Sequence, residues 1–308
     1  MQASGCLLYE TFSFSSSLIG KVMTLINVQP VSPYPALLFK EGTERTIIVA
    51  DLHIGWEISL VAKGIHIPSQ MARILARLTE VVRKAKPTRL ILLGDIKQTV
   101  PRISTEEWKN VPEFLEAVQK MVEDVIIVPG NHDGDIEPLT PRSIQITPAD
   151  GIILGKKSKL AIFHGHAWPK PEALSADILV MSHIHPVVRF QDRMGLWTVK
   201  QVWVKGRCDG TKMAEGYLKY SNIRSKIDPK EMFQKRFDVE PHDNRMIIMP
   251  TFNDLIGGLS VNRLTRRLKG PILGSSGVDF GATELYLLDG TFLGTVNQFT
   301  ADGGQDQQ

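Results

Sequence analysis

The sequence predicts an α/β fold with an α+β texture in its second half, and three observations carry that prediction. Five short runs rich in Ile, Val and Leu, at residues 47–50, 90–93, 125–128, 160–163 and 178–181, read as strands buried on both faces. Stretches with an apolar residue every three or four positions separate the first three runs, as helices crossing over a parallel sheet would. After Ile136 the runs shorten and glycine-containing turns multiply. That texture reads as antiparallel strands, giving either one mixed sheet or a sandwich of two.

The elements follow in order. Residues 47–50 form the first strand. Between Pro68 and Lys86, the residues Met71, Ile74, Leu75, Leu78, Val81 and Val82 mark one buried helical face, and Pro87 ends it. Residues 90–93 are the next strand. Ser104 with Glu107 makes a capping box, and Trp108, Val111, Leu115, Val118 and Val122 continue a helical stripe up to the strand at 125–128. Further strands are expected at 144–146, 151–154, 187–190, 196–204, 245–249 and 284–288. Residues 205–244 interrupt them with a polar, basic segment that includes Lys219, Arg224 and Lys226. This segment reads as an insert, helical around 229–236, that touches nucleic acid or a partner without building the site. Residues 1–22 read as an upstream-start extension or a disordered lead, 23–308 as a single domain, and 300–308 as a frayed tail.

The chain has 308 residues and a formal net charge of only +3, which permits nucleic-acid binding without requiring it. Cys6 and Cys208 are its only cysteines, so no disulfide framework or thiolate metal cage is expected, and a reducing, cytoplasmic setting fits. No apolar stretch approaches the roughly 20 residues of a membrane span. The first 21 residues lack a basic start and a continuous apolar stretch, so no signal peptide is expected.

Each of the five runs ends on residues able to bind a metal. They run into Asp51-Leu52-His53, Gly94-Asp95, Gly130-Asn131-His132-Asp133, His164-Gly165-His166 and Ser182-His183-Ile184-His185. Ligand sites in open α/β sheets lie just beyond the carboxyl ends of strands, so one convergent polar site is expected. Carboxylate, imidazole and amide oxygen without thiolate suit Mn, Fe(II), Zn, Co or Ni. The candidates are too many for one tetrahedral zinc and enough for two ions sharing a carboxylate. Two such cations can clamp the attacking and leaving oxygens of an in-line phosphoryl displacement.

These motifs, in this order and approximate spacing, resemble the full motif set of the calcineurin-like metallophosphoesterases. Ser182 departs from it, because Gly commonly precedes the final His-x-His. The resemblance implies a four-layer sandwich of two mixed β-sheets flanked by helices, and a dinuclear site with manganese as the first choice of metal. By position it implies that Asp51, His53 and His185 bind the first ion, that Asp95 bridges, and that Asn131, His164 and His183 bind the second. It places His132 beside the site as a catalytic group rather than a ligand. His166 is expected to touch substrate or to support a ligand, and Asp133 to cap a turn, orient His132 or take part in the chemistry.

A narrower resemblance covers Pro250-Thr251-Phe252-Asn253, Gly257-Gly258 and Gly270-Pro271-Ile272-Leu273. These are similar to the C-terminal part of a subgroup of nucleases or phosphodiesterases linked with DNA ligase or a superfamily-2 helicase. It implies a phosphodiesterase acting on nucleic acid, with a helicase as partner. Hydrolysis of a small phosphoester, or a non-catalytic helicase-binding role, are the alternatives. Physically, such glycine-rich loops approach backbone or substrate closely. Phe252 and Trp168 are candidates to stack on a base, or are core.

Overall fold

The computed structural model describes residues 27–61, 64–192, 194–263, 268 and 270–302. The extension expected at 1–22 and the end of the expected tail, 303–308, lie outside the described residues.

The first sheet holds six strands in the order β1 (Asn27–Pro30), β2 (Ala36–Glu41), β3 (Glu44–Ala50), β4 (Arg89–Leu93), β5 (Asp124–Val128) and β6 (Gln145–Ile146). β1 to β3 pair antiparallel and β3 to β6 pair parallel. A short α1 (Ile58–Val61) precedes the crossover helices α2 (Met71–Ala85) and α3 (Thr105–Met121). The α3 capping box forms as the spacing predicts: Glu107 N–H donates to Ser104 Oγ at 3.2 Å, and Ser104 N–H donates to the Glu107 carboxylate at 2.8 Å.

The second sheet comprises β7 (Ile152–Leu154), β8 (Leu160–Ile162), β9 (Ile178–Met181), β10 (Pro186–Gln191), β11 (Trp197–Cys208), β12 (Asn244–Ile248), β13 (Leu259–Ser260), β14 (Glu284–Leu287) and β15 (Phe292–Thr295). Its spatial order is β13-β10-β11-β12-β9-β8-β7, with β14 and β15 branching from β11. β8, β9 and β12 run parallel. Helices α4 (Gly210–Tyr220), α5 (Pro229–Phe237) and α6 (Val296–Asp302) complete the chain.

Strand alternation builds the layers. Ile47 and Val49 face a core shared with Ile74, Leu78, Val111 and Phe114 of the helices. Ile48 and Ala50 face the opposite way, meeting Ile178, Val180, Trp203 and Ile247 of the second sheet. On that sheet's outer side, Leu179, Met181, Val202 and Val204 pack on Met213, Ala214, Leu218 and Phe233. The result is helix, sheet, sheet, helix, in four layers. Among the described residues no helix is long and apolar enough to cross a membrane.

Two local readings change. Residues 205–208 belong to β11, where Val204 and Cys208 face the core and Lys205 pairs with Glu284 at 3.5 Å. The charges on Lys205 and Arg207 hide the strand period. Residues 210–220 are a helix capped by Asp209, and it buries Met213, Ala214, Tyr217 and Leu218. Only its outer face and the following loop carry the exposed Lys219, Arg224 and Lys226. The β1–β2 hairpin carries no ligand signature in the sequence, because its apolar run 36–39 ends on Lys40.

Candidate metal centre

Parallel pairing sends the carboxyl ends of β3, β4 and β5 to one edge of the first sheet, and those of β8 and β9 to one edge of the second. Face-to-face stacking brings the two sets of loops together. The turn out of each strand is tight. Asp51, His53, Asp95, His183 and His185 take left-handed φ values of 55°, 45°, 45°, 68° and 46°. Among the described residues, the other non-glycine cases are Lys86, Asn222 and Asp238, all at or just beyond helix C-termini. A non-glycine residue held there costs about 1–3 kcal/mol. Each buried Ile or Leu of the flanking strands contributes roughly 1.5–3 kcal/mol, so the frame can hold the strain. Backbone strain collected on five potential ligands is a mark of function rather than of packing.

The donor atoms fall into two groups. Asp51, His53, Asp95 and His185 offer ligand atoms within 4.8 Å of one another, and so do Asp95, His164 and His183. Asp95 is in both. His53 Nε2 and His185 Nε2 face each other at 3.3 Å. Asp95 Oδ2 lies 3.7 Å from His53 Nε2 and 3.6 Å from His164 Nε2. Asp51 Oδ2, His53 Nδ1 and His183 Nδ1 are buried without a hydrogen-bond partner. An orphaned carboxylate oxygen among converging imidazoles is expensive unless a cation meets it. The residues present therefore fit two divalent ions of the borderline class.

The electrostatics agree with that fit. Burial, with the charge of His185, pushes His53 down to about 3, and burial with the charge of His164 pushes His183 down to about 3. Both imidazoles stay neutral, as ligands must. Burial opposes charge on His164, but the hydrogen bond from its Nε2 to Asp51 at 2.9 Å wins and raises it. Its Nδ1 then donates to His166 Nδ1 at 3.0 Å, and burial holds His166 at about 4, so that ring accepts as a neutral group. His185 is raised against burial by the charge of Asp51.

These shifts give a pH prediction. In the metal-free protein His164 and His185 have folded pKa values above their unfolded ones. Their contribution to stability is complete below the unfolded pKa of about 6.5 and is lost as pH rises through the folded values. Metal affinity must run the other way, because a cation displaces those protons. Calorimetric titration with Mn²⁺ should show tighter binding at pH 8 than at pH 6, with proton release. Equal affinity at both would contradict the assignment of these two histidines.

His132 stands apart from the donor groups. Its backbone N–H donates to Asp95 Oδ1 at 2.9 Å, and its Nδ1–H donates to the Gln98 carbonyl at 2.5 Å. Nε2 is left pointing inward, 4.0 Å from Asp95 Oδ2. The Gln98 loop is itself fixed by Glu107, which accepts from Gln98 N–H at 2.8 Å and from Thr99 N–H at 2.7 Å. Sequence reasoning saw Glu107 only as a helix cap and missed this second task. Asp133, fully buried and pushed up to about 6 by burial, accepts from Gly130 N–H, Ile96 N–H and Lys97 N–H. It ties the 94–97 loop to the 130–133 loop. Asn131 lies between these anchors with an exposed side chain.

The C-terminal motifs approach backbone. Thr251 Oγ1 donates to the Asp51 carbonyl at 2.8 Å, and Asn253 Nδ2 donates to the Leu52 carbonyl at 3.1 Å. A Cβ on Gly258 would stand 1.9 Å from the His185 carbonyl oxygen, and one on Gly270 would stand 2.4 Å from that of Gly165. These segments clamp the ligand loops from outside. Phe252 is fully buried under the Arg77 guanidinium, and Trp168 is buried against Tyr217. Of the two readings of these residues, core is the one the structure bears out. Trp168 packs on Tyr217 of α4, and neither donor group draws on residues 205–244.

Gly94 offers a sharp test. Its φ is 68°, and a Cβ there would meet His164 Cδ2 at 2.2 Å. Gly94→Ala should displace the imidazole, lowering metal content toward one ion per chain with the fold kept. Circular dichroism and elemental analysis read both; full metal content in a folded variant would contradict the packing described.

Residues 44–191 match the calcineurin-like phosphoesterase family. Over that segment the chain carries a calcineurin-like metallophosphoesterase domain. Phosphodiesterase YfcE of Escherichia coli K12 is 28% identical over 113 residues, covering 35% of this chain and 60% of that relative. The match therefore spans less than two thirds of YfcE. Among solved structures, the Pseudomonas putida nuclease MPE aligns over 87% of this chain and 100% of its own, with 20% identity and a TM-score of 0.44. The Yfce phosphoesterase from E. coli aligns over 48% of this chain and 73% of its own, with 22% identity and a TM-score of 0.32. The metallophosphoesterase motifs all lie within the matched residues, and the clamps at 250–273 lie beyond them.

Proposed function

We propose that this metallophosphoesterase is a two-metal phosphodiesterase that cleaves nucleic acid. One observation carries the hydrolytic reading: two donor groups share Asp95, and a partly open histidine, His132, stands beside it without belonging to either group. Asp51, His53, Asp95 and His185 would hold one ion; Asp95, His164 and His183, with the Asn131 amide, would hold the other, manganese being the first choice. When bound, the two ions supply Lewis acidity to the phosphoryl oxygens and lower the pKa of an attacking water. The chain's own residues do the rest. Asp133 and Thr251 hold the ligand loops in register. Gln98 fixes the His132 tautomer so that Nε2 faces the reacting phosphate, where its protonated form donates to the leaving oxygen. His166 holds His164 and keeps an open edge toward substrate.

The diester class is supported by the likeness to a phosphodiesterase. The nucleic-acid substrate is supported by the C-terminal motifs and by the exposed Lys219, Arg224 and Lys226. A panel of single-stranded DNA, RNA, bis-p-nitrophenyl phosphate and p-nitrophenyl phosphate, with Mn²⁺, tests both. Cleavage of the diester and of one polynucleotide is expected. Activity confined to the monoester would overturn the reading.

A further inference from the structure

We propose that the β10–β11 hairpin is a track for single-stranded nucleic acid, leading from the metal centre to an arginine-flanked Trp197. This deepens the nuclease reading above and rests on it. The track begins at the site. β10 starts one residue after His185, and across the hairpin Gln201 Nε2 donates to the Thr251 carbonyl at 2.7 Å. Register then places Arg189 opposite Val199 and Gln191 opposite Trp197. Cross-strand partners share a face, and alternation puts Gln201, Val199 and Trp197 on the same one. At ~3.3 Å per residue, Arg189 lies about 13 Å along the strand from His185, and Trp197 roughly 20 Å.

That face is closed at Val187, which pairs with Gln201 and is buried, and it opens toward the hairpin tip. Val199 is 49% exposed and Trp197 44% exposed. Arg263 lies over the Trp197 ring at 4.1 Å, and Arg189 lies 5.9 Å from it. Arg263 is held in place because Asn262 brackets β10: its Oδ1 accepts from Arg189 N–H at 3.0 Å, and its Nδ2 donates to the Arg189 carbonyl at 2.8 Å. Among the described residues neither guanidinium forms an ion pair with a carboxylate. Asp192, in the hairpin turn, spends Oδ1 on the N–H groups of Met194 and Leu196, both at 2.9 Å.

Unpaired guanidiniums beside an exposed indole suit a chain that alternates phosphate and base. Bases stack on aromatic rings and guanidinium planes regardless of sequence, and phosphates take the charge. An apolar protein surface would meet the strip but leave both cations unmatched, so the occupant chosen is a polynucleotide single strand.

The test uses the full chain, a single-stranded oligonucleotide of about 12 nucleotides, and bis-p-nitrophenyl phosphate. Trp197→Ala should lower the ratio of kcat/KM for the oligonucleotide to that for the small diester by roughly tenfold, the effect of losing one stacked base, and Trp197→Phe should restore most of it. Arg189→Ala with Arg263→Ala should flatten the salt dependence of oligonucleotide binding by roughly one log–log unit. Trp108→Ala, at an exposed tryptophan on α3, should leave the ratio unchanged. If wild-type protein cleaves the oligonucleotide and the Trp197 and arginine variants match it, the track is wrong and the nuclease reading stands. Concentration-dependent dimerisation that Trp197→Ala abolishes, with oligonucleotide kinetics unmoved, would assign the strip to a second copy of the chain and overturn the track. If wild-type protein hydrolyses the diester but neither binds nor cleaves the oligonucleotide, both readings fall.

Discussion

Asp95→Asn is expected to cost the protein most of both metals at once. Asp95 is the residue common to the two donor groups, lying 3.7 Å from His53 Nε2 and 3.6 Å from His164 Nε2. A neutral amide keeps the shape but cannot neutralise two cations with one side chain. The metal-free fold should not suffer. Burial raises the Asp95 pKa, with His164 opposing and the Asp51 charge assisting. An acid raised in this way is most favourable to the folded state below its unfolded pKa, and its contribution is lost as pH rises through the folded value. Ionised Asp95 is therefore a cost at neutral pH without metal, and Asn removes it. Chelated Asp95→Asn should melt at or above the wild-type temperature. Wild-type protein should gain about 2.7 kcal/mol per site when free metal is 100 times Kd, and the variant should gain little. A variant that loses stability when chelated yet still binds two ions would contradict the bridging role.

His132→Asn is expected to keep both metals and lose turnover by roughly 10²–10⁴-fold on an unactivated diester, the range for losing a general acid. The geometry separates the two properties. His132 hydrogen-bonds Asp95 through its backbone N–H, while its ring Nε2 stands 4.0 Å from Asp95 Oδ2 and the ring is oriented by the Gln98 carbonyl. The loss should shrink for a p-nitrophenolate leaving group, which needs little protonation. An equal loss on both substrates would assign His132 to charge stabilisation of the phosphoryl oxygens instead. Loss of metal would place it among the ligands.

Much of the site was legible because the sheet geometry writes it into the sequence. A strand buried on both faces is a run of Ile, Val and Leu, so a polar ligand at its end stands out, as Asp51 does after Ile47 to Ala50 and His183 after Ile178 to Met181. The supports were harder to read. Glu107 carries a capping-box signature, and nothing local announces that its carboxylate also fixes Gln98 and so His132. Thr251 and Asn253 act on carbonyls two hundred residues earlier in the chain, a relation set only by the meeting of the two sheets. In residues 205–220, surface charge on Lys205, Arg207 and Lys212 masked the end of β11 and the buried face of α4. Trp197 gives no signal in the sequence, because an aromatic in a strand is usually core, and its exposure comes from lying on the part of β11 that pairs with β10 and not with β12.

The most direct measurement is anomalous diffraction from crystals grown with Mn²⁺. Two peaks are expected per chain, one among Asp51, His53, Asp95 and His185, and the other against Asp95, His164 and His183. A single peak at saturating metal, or two peaks that do not share Asp95, would contradict a two-metal centre.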